Sequence, residues 1–275
     1  MTETNIDGNE DLTVTVSDDE LVIRAVIDRP EQHNAMNENV LEGLSAVLAA
    51  ADAGPARVVV IRGAAGTFSS GGDLKSIASN VGKGPQAYRN SFSGLAELME
   101  QLIDTGALVV AAVEGYCLAG GMGLAAACDL VLASDDATFG TPEANIGMFP
   151  SQALVPIMRT VHEKQGFKLL FTGEHIDAAK AHEIGLTTDV VPSDEFEAEL
   201  DDLIDDLAAS SPVMIEMGKE SFYNQRDMGF HEALSYMRES IALLAMSDAT
   251  EEGINAFLLD EQPEWTERSL DNNDD

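Results

Sequence analysis

The chain has 275 residues, enough to bury a closed core in one large domain or in one domain with an appendage. Its formal net charge of −34 argues against binding to nucleic acid or to an anionic membrane surface, since both rely on Lys and Arg. The acidity is typical of a solvated shell that keeps a protein soluble, including at high salt. No segment supports the alternative of a dedicated cationic partner.

The first part of the chain predicts a hairpin, a helix and a strand. The polar leader 1–11 is expected to be disordered. Asn37 is a suitable N-cap for a helix through about Ala51, because apolar residues recur on one face of this segment. The predicted strands lie at 12–16, 21–27 and 58–61. A loop then occupies Gly63–Asp73, and it contains more glycines than a simple connection between two elements needs.

The stretch from Leu108 to Pro150 organises the chain. An apolar strand at 108–113 leads into the glycine-packed loop 119–123, a small-residue helix at 124–128 and a second apolar strand at 129–133. This order predicts a βαβ unit within a buried parallel sheet. Glycines before a helix let backbone N–H groups face a ligand oxygen.

Helices dominate the rest of the chain, apart from one predicted strand at 187–191. They are predicted at 86–103, 151–161, 163–171, 177–183, 194–209, 212–225, 230–246 and 249–260. The pattern predicts an α/β core over 12–200, a helical oligomerisation region over 201–265 and a disordered acidic tail over 266–275.

The two cysteines, Cys117 and Cys128, lie in the small-residue stretch without metal-binding spacing. We therefore expect two buried apolar side chains in a reducing compartment, and no metal site. The acidic start of the chain lacks the apolar run of a signal peptide. Glu114, Asp129 and the glycines interrupt the apolar stretch, so no membrane span is predicted and a cytoplasmic location is expected.

The glycine loop allows three interpretations. The run Gly121–Ala126 matches the G-x-G-x-x-A form of a dinucleotide-binding fingerprint. Small residues could instead serve only tight packing of a helix on a sheet. In the third interpretation, two glycine loops at the ends of neighbouring strands each point one N–H at the same oxygen. They would then form an oxyanion hole for a carbonyl that gains negative charge.

Five motifs occur in order along the chain: DRPEQHNAMN at 28–37, FSSGGD at 68–73, GYCLAGGMGLAAACD at 115–129, ATFGTPE at 137–143 with Gly147, and LFTGEHIDA at 170–178 with Gly185 and Leu186. Together they resemble the crotonase family of enoyl-CoA hydratases and isomerases. The resemblance covers about residues 12 to 262. It implies a spiral of repeated ββα and βαβ turns with a C-terminal helical region. Family members usually assemble as trimers or dimers of trimers.

The resemblance also implies the site. The backbone N–H groups of Gly72 and Gly120 would be the oxyanion donors, and Glu143 would be the acid–base group. The substrate-binding residues for the CoA and acyl parts would be His33, Ala35, Ser70, Gly71, Asp73, Gly121 and Gly123. The substrate would be an acyl-CoA thioester, whose coenzyme A is part of the substrate, so no separate cofactor is expected.

The chain departs from the family pattern at one important position. Family hydratases commonly carry two glutamates, and the position of the first is occupied here by Gly123. Adding water needs a base for water and an acid for the α-carbon, although one carboxylate could do both in turn. Moving a double bond from the 3,4 to the 2,3 position needs one carboxylate only. Hydratase is therefore the broad expectation, isomerase its rival, and a non-catalytic CoA-thioester-binding protein the alternative from another class.

Other charged residues are secondary candidates. A second acid–base group could come from Glu97, Glu100 or Glu114, and CoA phosphates could meet Lys75, Lys83 or Lys219. For each of them simple solvation is the favoured interpretation, or a turn in the case of Glu114. Glu143 itself could be only a favourable charge at a helix start.

Overall fold

The computed structural model describes residues 8–266 and has the predicted α/β architecture. The strands are β1 (Leu12–Val16), β2 (Val22–Ile27), β3 (Val58–Gly63), β4 (Leu108–Val113), β5 (Tyr116–Leu118), β6 (Leu130–Ser134), β7 (Thr138–Gly140), β8 (His175–Asp177) and β9 (Asp189–Val191). The helices are α1 (Glu38–Ala53), α2 (Leu74–Ala78), α3 (Pro85–Asp104), α4 (Gly120–Ala127), α5 (Leu154–Thr160), α6 (Glu163–Thr172), α7 (Ala178–Glu183), α8 (Phe196–Ala208), α9 (Pro212–Gln225), α10 (Phe230–Leu244) and α11 (Asp248–Leu259).

A six-stranded sheet in the order β1-β2-β3-β4-β6-β9 forms the centre of the fold. The predicted hairpin is confirmed, since β1 and β2 pair in antiparallel fashion. All other pairs of this sheet are parallel. The strands β3 and β4 are buried on both faces, which explains why they read as continuous apolar runs.

A second sheet of three strands, in the order β5-β7-β8, was not predicted. Each of its strands has only three residues. A strand that short shows no usable alternation, so only its pairing with neighbours reveals it. The sequence placed Tyr116 in a turn, whereas it begins β5 and pairs with Thr138 of β7. The two buried cysteines, Cys117 and Cys128, are free thiols in the core, as predicted.

The glycine-packed loop proved to be helical. The predicted helix began at Leu124, but α4 begins at Gly120, so the glycines form its first turn. Every residue of α4 is buried. Glycine is a poor helix former in isolation. Here tight packing of α4 against its neighbours overrides that propensity.

The C-terminal helices divide into a core helix and a more exposed group. Phe196, Leu200, Ile204 and Ala208 of α8 pack against one face of the large sheet. The helix α8 spans position 201, where the helical oligomerisation region was predicted to begin, and the division into regions stays a prediction. No residue of α10 is buried. Within residues 8–266, no helix combines the length and apolar character needed to cross a bilayer.

Most residues of the two predicted disordered ends, 1–11 and 266–275, lie outside the part of the chain that the structure describes. Residues 1–7 and 267–275 lie outside the described residues, so their predicted disorder stays a prediction. The last residues of the predicted leader are held in place, because the Asn9 amide donates to the Leu12 carbonyl at 2.9 Å and Asp11 pairs with Arg29.

Candidate active site

Three parallel segments carry the candidate site. Ser69 forms a parallel bridge with Cys117 of β5, and Cys117 pairs with Phe139 of β7. The Ala119 amide also donates to the Gly140 carbonyl at 2.8 Å, which extends this contact past the end of β5. Because parallel segments in register end at the same edge, the residues that follow them lie close together.

Gly72, Gly120 and Glu143 follow these segments. A Cβ built on Gly120 would stand 3.6 Å from the Gly72 amide nitrogen. One built on Gly71 would stand 2.9 Å from the Gly120 amide nitrogen. The two glycine loops are therefore in direct contact, although Gly72 and Gly120 are 48 positions apart in the chain.

Both amides are available to a ligand. Among residues 8–266, no acceptor is bound to the Gly72 N–H. The Gly120 N–H belongs to the first residue of α4, where no carbonyl of the helix can reach it. The positive end of the α4 dipole adds to the field at this point. The arrangement suits an oxygen that gains negative charge during a reaction.

Glu143 lies on a short 3₁₀ segment, Pro142–Ile146, directly after β7. Its Oε2 atom is buried and has no hydrogen-bond partner among the described residues. Burial raises the pKa of Glu143, and a hydrogen bond from its own backbone N–H offsets only part of that effect. A carboxyl group with a raised pKa and an oxygen free of hydrogen bonds is suited to take up and return a proton.

The packing around Gly123 leaves no space for a side chain at this position. A Cβ at this position would lie 2.7 Å from both Cα and Cβ of Ala153 and 2.9 Å from Cε of Met99. Gln152 holds this region in place, because its Nε2 donates to the Phe92 carbonyl of α3 at 2.6 Å. A second carboxylate at position 123 would require α5 to move away from α4.

Gly121 is also occupied by packing. A Cβ there would lie 2.7 Å from the carbonyl oxygen of Ser69 and 2.9 Å from its Cβ. Gly121 and Gly123 therefore serve the tight packing of α4, as the structural interpretation expected. A dinucleotide fingerprint needs these glycines open to a pyrophosphate, and here protein atoms cover them. Contact of Gly121 and Gly123 with substrate stays a prediction.

The loop residues predicted to bind CoA hold one another mainly through their backbones. The Ser70 amide donates to the His33 carbonyl at 3.0 Å, while the His33 side chain is exposed. Gly71 has a φ of +99°, where a side chain would be strained. Ala35 is buried and Asp73 forms an ion pair with Arg29 in which both side chains are largely buried, so neither the Ala35 nor the Asp73 side chain is presented to a ligand. Contact of these loops with CoA stays a prediction.

Sequence reasoning missed Asn34 as a loop organiser. It is fully buried with a φ of +54°, a region that Asn tolerates better than most residues. Its Nδ2 donates to the carbonyls of Ala64 and Thr67, at 2.8 and 2.5 Å, and its Oδ1 accepts from the Arg29 amide at 2.9 Å. The sequence signal for this role was the position of Asn34 between His33 and Ala35, inside the motif at 28–37.

Lys219 is buried, not solvated as favoured from the sequence. Its Nζ lies 2.7 Å from Asp129 Oδ2 and also donates to the carbonyls of Leu102 and Ala107, at 2.8 and 2.7 Å. The Tyr223 hydroxyl donates to the other oxygen of Asp129. This cluster anchors α9 to the end of α4 opposite the glycine amides, so Lys219 is not available to CoA.

The other secondary candidates stay on the surface or form pairs. Lys75, Lys83, Glu97 and Glu100 are exposed. Glu114 is paired with Arg62 at 2.7 Å. Within residues 8–266, Glu143 thus stands apart from these other carboxylates as the one with a buried and unbonded oxygen.

Comparison with known proteins identifies the family. A family model described as enoyl-CoA hydratase/isomerase matches residues 18–268. The chain belongs to the enoyl-CoA hydratase/isomerase family. The predicted resemblance to crotonases is thereby confirmed, together with the fold class.

Relatives in the enoyl-CoA hydratase/isomerase family match over most of their length. The Xenopus laevis mitochondrial enoyl-CoA hydratase domain-containing protein 3 is 33% identical over 245 residues, which cover 88% of this chain and 82% of that relative. The 2,3-dehydroadipyl-CoA hydratase of Escherichia coli K12 is 32% identical over 255 residues, covering 92% and 98%. The crystal structure of a Mycobacterium smegmatis enoyl-CoA hydratase superposes with a TM-score of 0.89 at 29% identity, covering 94% and 99%.

Proposed function

We propose that this protein moves a proton on an enoyl-CoA thioester, with Glu143 as its single acid–base group. The proposal rests on the buried Oε2 of Glu143, which has no hydrogen-bond partner among the described residues, and on the amides of Gly72 and Gly120, which come from two loops in contact. The amides of Gly72 and Gly120 would bind the thioester oxygen. A single oxyanion donor typically contributes about 3 kcal/mol to transition-state stabilisation.

The reaction that needs only these groups is isomerisation of a 3-enoyl-CoA to a 2-enoyl-CoA. Glu143 removes a proton from C2, and the electron pair moves onto the thioester oxygen to give a conjugated enolate. The two amides stabilise that charge without having to reorganise as water would. The electron pair then returns, and protonation of C4 by Glu143 leaves the double bond between C2 and C3. The closed position of Gly123 supports this assignment, because it leaves no room for a second carboxylate there.

Hydration of a 2-enoyl-CoA is the second candidate, and the names of the relatives favour it. Glu143 would remove a proton from water, whose oxygen adds to C3, and would then return a proton to C2. One carboxylate can perform both steps in turn. A protein that only binds CoA thioesters is the outcome if neither reaction occurs.

Side-by-side assays of crotonyl-CoA hydration and of 3-enoyl-CoA isomerisation test the proposal. We expect isomerisation to be the faster reaction and Glu143→Gln to reduce it by about 10²- to 10⁴-fold, the usual contribution of a general acid–base group. Glu163→Gln, at an exposed position at the start of α6, is the matched control and should leave turnover unchanged. Full turnover in Glu143→Gln would contradict the acid–base role.

We also propose that the chain assembles with copies of itself as a homotrimer or a dimer of trimers. The helices α10 and α11 expose large apolar side chains in an otherwise strongly acidic protein, among them Phe230, Ile241 and Phe257. Apolar surface on this scale is typical of an interface. Sedimentation equilibrium should show a trimer or hexamer, and Phe257→Glu should shift it towards monomer, whereas a monomeric wild type would contradict the proposal.

A further inference from the structure

The Arg29 side chain lies at the junction of three segments, which contain Asp11, Ala35 and Asp73. Its Nε is 3.1 Å from Oδ1 of Asp11, and its Nη2 is 3.0 Å from Oδ2 of Asp73. Its Nη1 donates to the Ala35 carbonyl. The side chains of Arg29 and Asp73 are each 11% exposed, so solvent and salt screen this pair less than a surface pair.

Asp73 directly follows the oxyanion donor Gly72, and the chain around it is paired to Met36. The Met36 amide donates to the Gly71 carbonyl at 2.7 Å, and the Asp73 amide donates to the Met36 carbonyl at 3.0 Å. The Asp73 Oδ1 also accepts from the Lys75 amide at 2.8 Å. Gly72 is therefore fixed on both sides.

The bond to Met36 sets the direction of the Gly72 N–H. The Gly71 carbonyl and the Gly72 N–H belong to one peptide group, which is planar and trans, so they point in opposite directions. Holding the carbonyl on Met36 therefore aims the N–H away from Met36. Arg29 binds both of the paired segments. It donates to the Ala35 carbonyl of one segment and to the Asp73 carboxylate of the other.

We infer that Arg29 is a positioning residue that aims the Gly72 amide at the thioester oxygen through its bonds to Asp73 and Ala35. The inference rests on the proposed oxyanion hole. Burial would raise the pKa of Asp73, but hydrogen bonds from Arg29 and from backbone amides outweigh it and hold that pKa below its ordinary value. The carboxylate is thus ionised at neutral pH, as the ion pair requires.

The test compares Arg29→Met, Arg29→Lys and Asp73→Asn with wild type. Difference infrared spectroscopy of bound butyryl-CoA, labelled with ¹³C at C1, reports how strongly the amides polarise the carbonyl without any turnover. Steady-state assays report kcat and KM. Asp129→Asn is the control, because it breaks the other buried ion pair, with Lys219, at the far end of α4. That control should lose stability and keep the infrared shift and the kcat of the folded enzyme.

We expect the bound carbonyl of wild type to absorb at lower frequency than that of free butyryl-CoA. Arg29→Met and Asp73→Asn should lose about half or more of this shift and about 10- to 100-fold in kcat, with a smaller change in KM, since a misplacement of about 1 Å can cost about 100-fold. Arg29→Lys should recover part of both. An unchanged shift and kcat in Arg29→Met, or in Asp73→Asn should Arg29→Met not fold, would overturn the role of Arg29 and leave the proposed function standing. Absence of a shift in wild type would remove the oxyanion hole and this inference with it.

Discussion

Substitutions at Gly123 test whether the second carboxylate position is closed. In Gly123→Ala the new methyl group would lie 2.7 Å from Cα and Cβ of Ala153. Met99 could move its terminal methyl group, but the Cα of Ala153 belongs to the backbone and can yield only if α5 shifts. Overpacking of this kind costs about 1–3 kcal/mol, and the better helix propensity of Ala returns about 0.5–1 kcal/mol.

The expected net loss for Gly123→Ala is therefore about 0–2.5 kcal/mol, which lowers Tm by up to about 10 °C in a protein of this size. Gly218→Ala is the matched control, because Gly218 also lies inside a helix and the nearest atom to its Cβ would be Met214 Sδ at 3.9 Å. That variant should gain about 0.5–1 kcal/mol. Thermal unfolding followed by circular dichroism at equal protein concentration measures both.

Gly123→Glu extends the test to function. We expect this variant to be less stable than Gly123→Ala and to gain no hydratase activity, since the larger side chain meets the same backbone. If Gly123→Ala is stabilised as much as Gly218→Ala, or if Gly123→Glu folds normally and hydrates crotonyl-CoA faster than wild type, the reasoning about a closed site is refuted.

Four further outcomes are expected. Glu143→Gln should raise Tm at neutral pH: the folded-state pKa of Glu143 lies above its unfolded value, so stability falls as pH rises between the two, and the gain should vanish well below the ordinary carboxyl pKa. Lys219→Met should cost about 3–5 kcal/mol, because it leaves the Asp129 carboxylate buried without its cation. Asn37→Ala should cost about 1 kcal/mol, because the Asn37 side chain caps α1 by accepting from the Val40 amide. Raising NaCl from about 0.1 M to about 1 M should raise Tm of wild type, because it shortens the screening length from about 10 Å to about 3 Å in a chain of net charge −34.

Each of these has a clear contrary result. A Tm gain in Glu143→Gln that persists at acid pH would point to packing, not to the charge. A loss below about 1 kcal/mol in Lys219→Met would mean that the pair is effectively solvated. An unchanged Tm in Asn37→Ala would show that water replaces the cap, and an unchanged or lower Tm at high salt would mean that self-repulsion does not limit stability.

Local patterns predicted much of the fold. Apolar runs predicted β3 and β4, the alternation of β1 and the turn before β2 predicted their hairpin, and Asn37 predicted the start of α1. These features depend on neighbours within a few positions, so the sequence carries them directly. The site residues Gly72, Gly120 and Glu143 came from recognised motifs, and the structure brings their segments to one edge.

The sequence by itself therefore determined the α/β class and the family, and it nominated Gly72, Gly120 and Glu143 as candidate site residues. Only the tertiary structure decided that Ala153 closes the place beside Gly123, that Arg29 reaches Asp73, and that Lys219 is buried against Asp129. Each of these contacts joins residues 30 to 90 positions apart. No local periodicity encodes such a contact, because it depends on how whole helices and strands pack against one another.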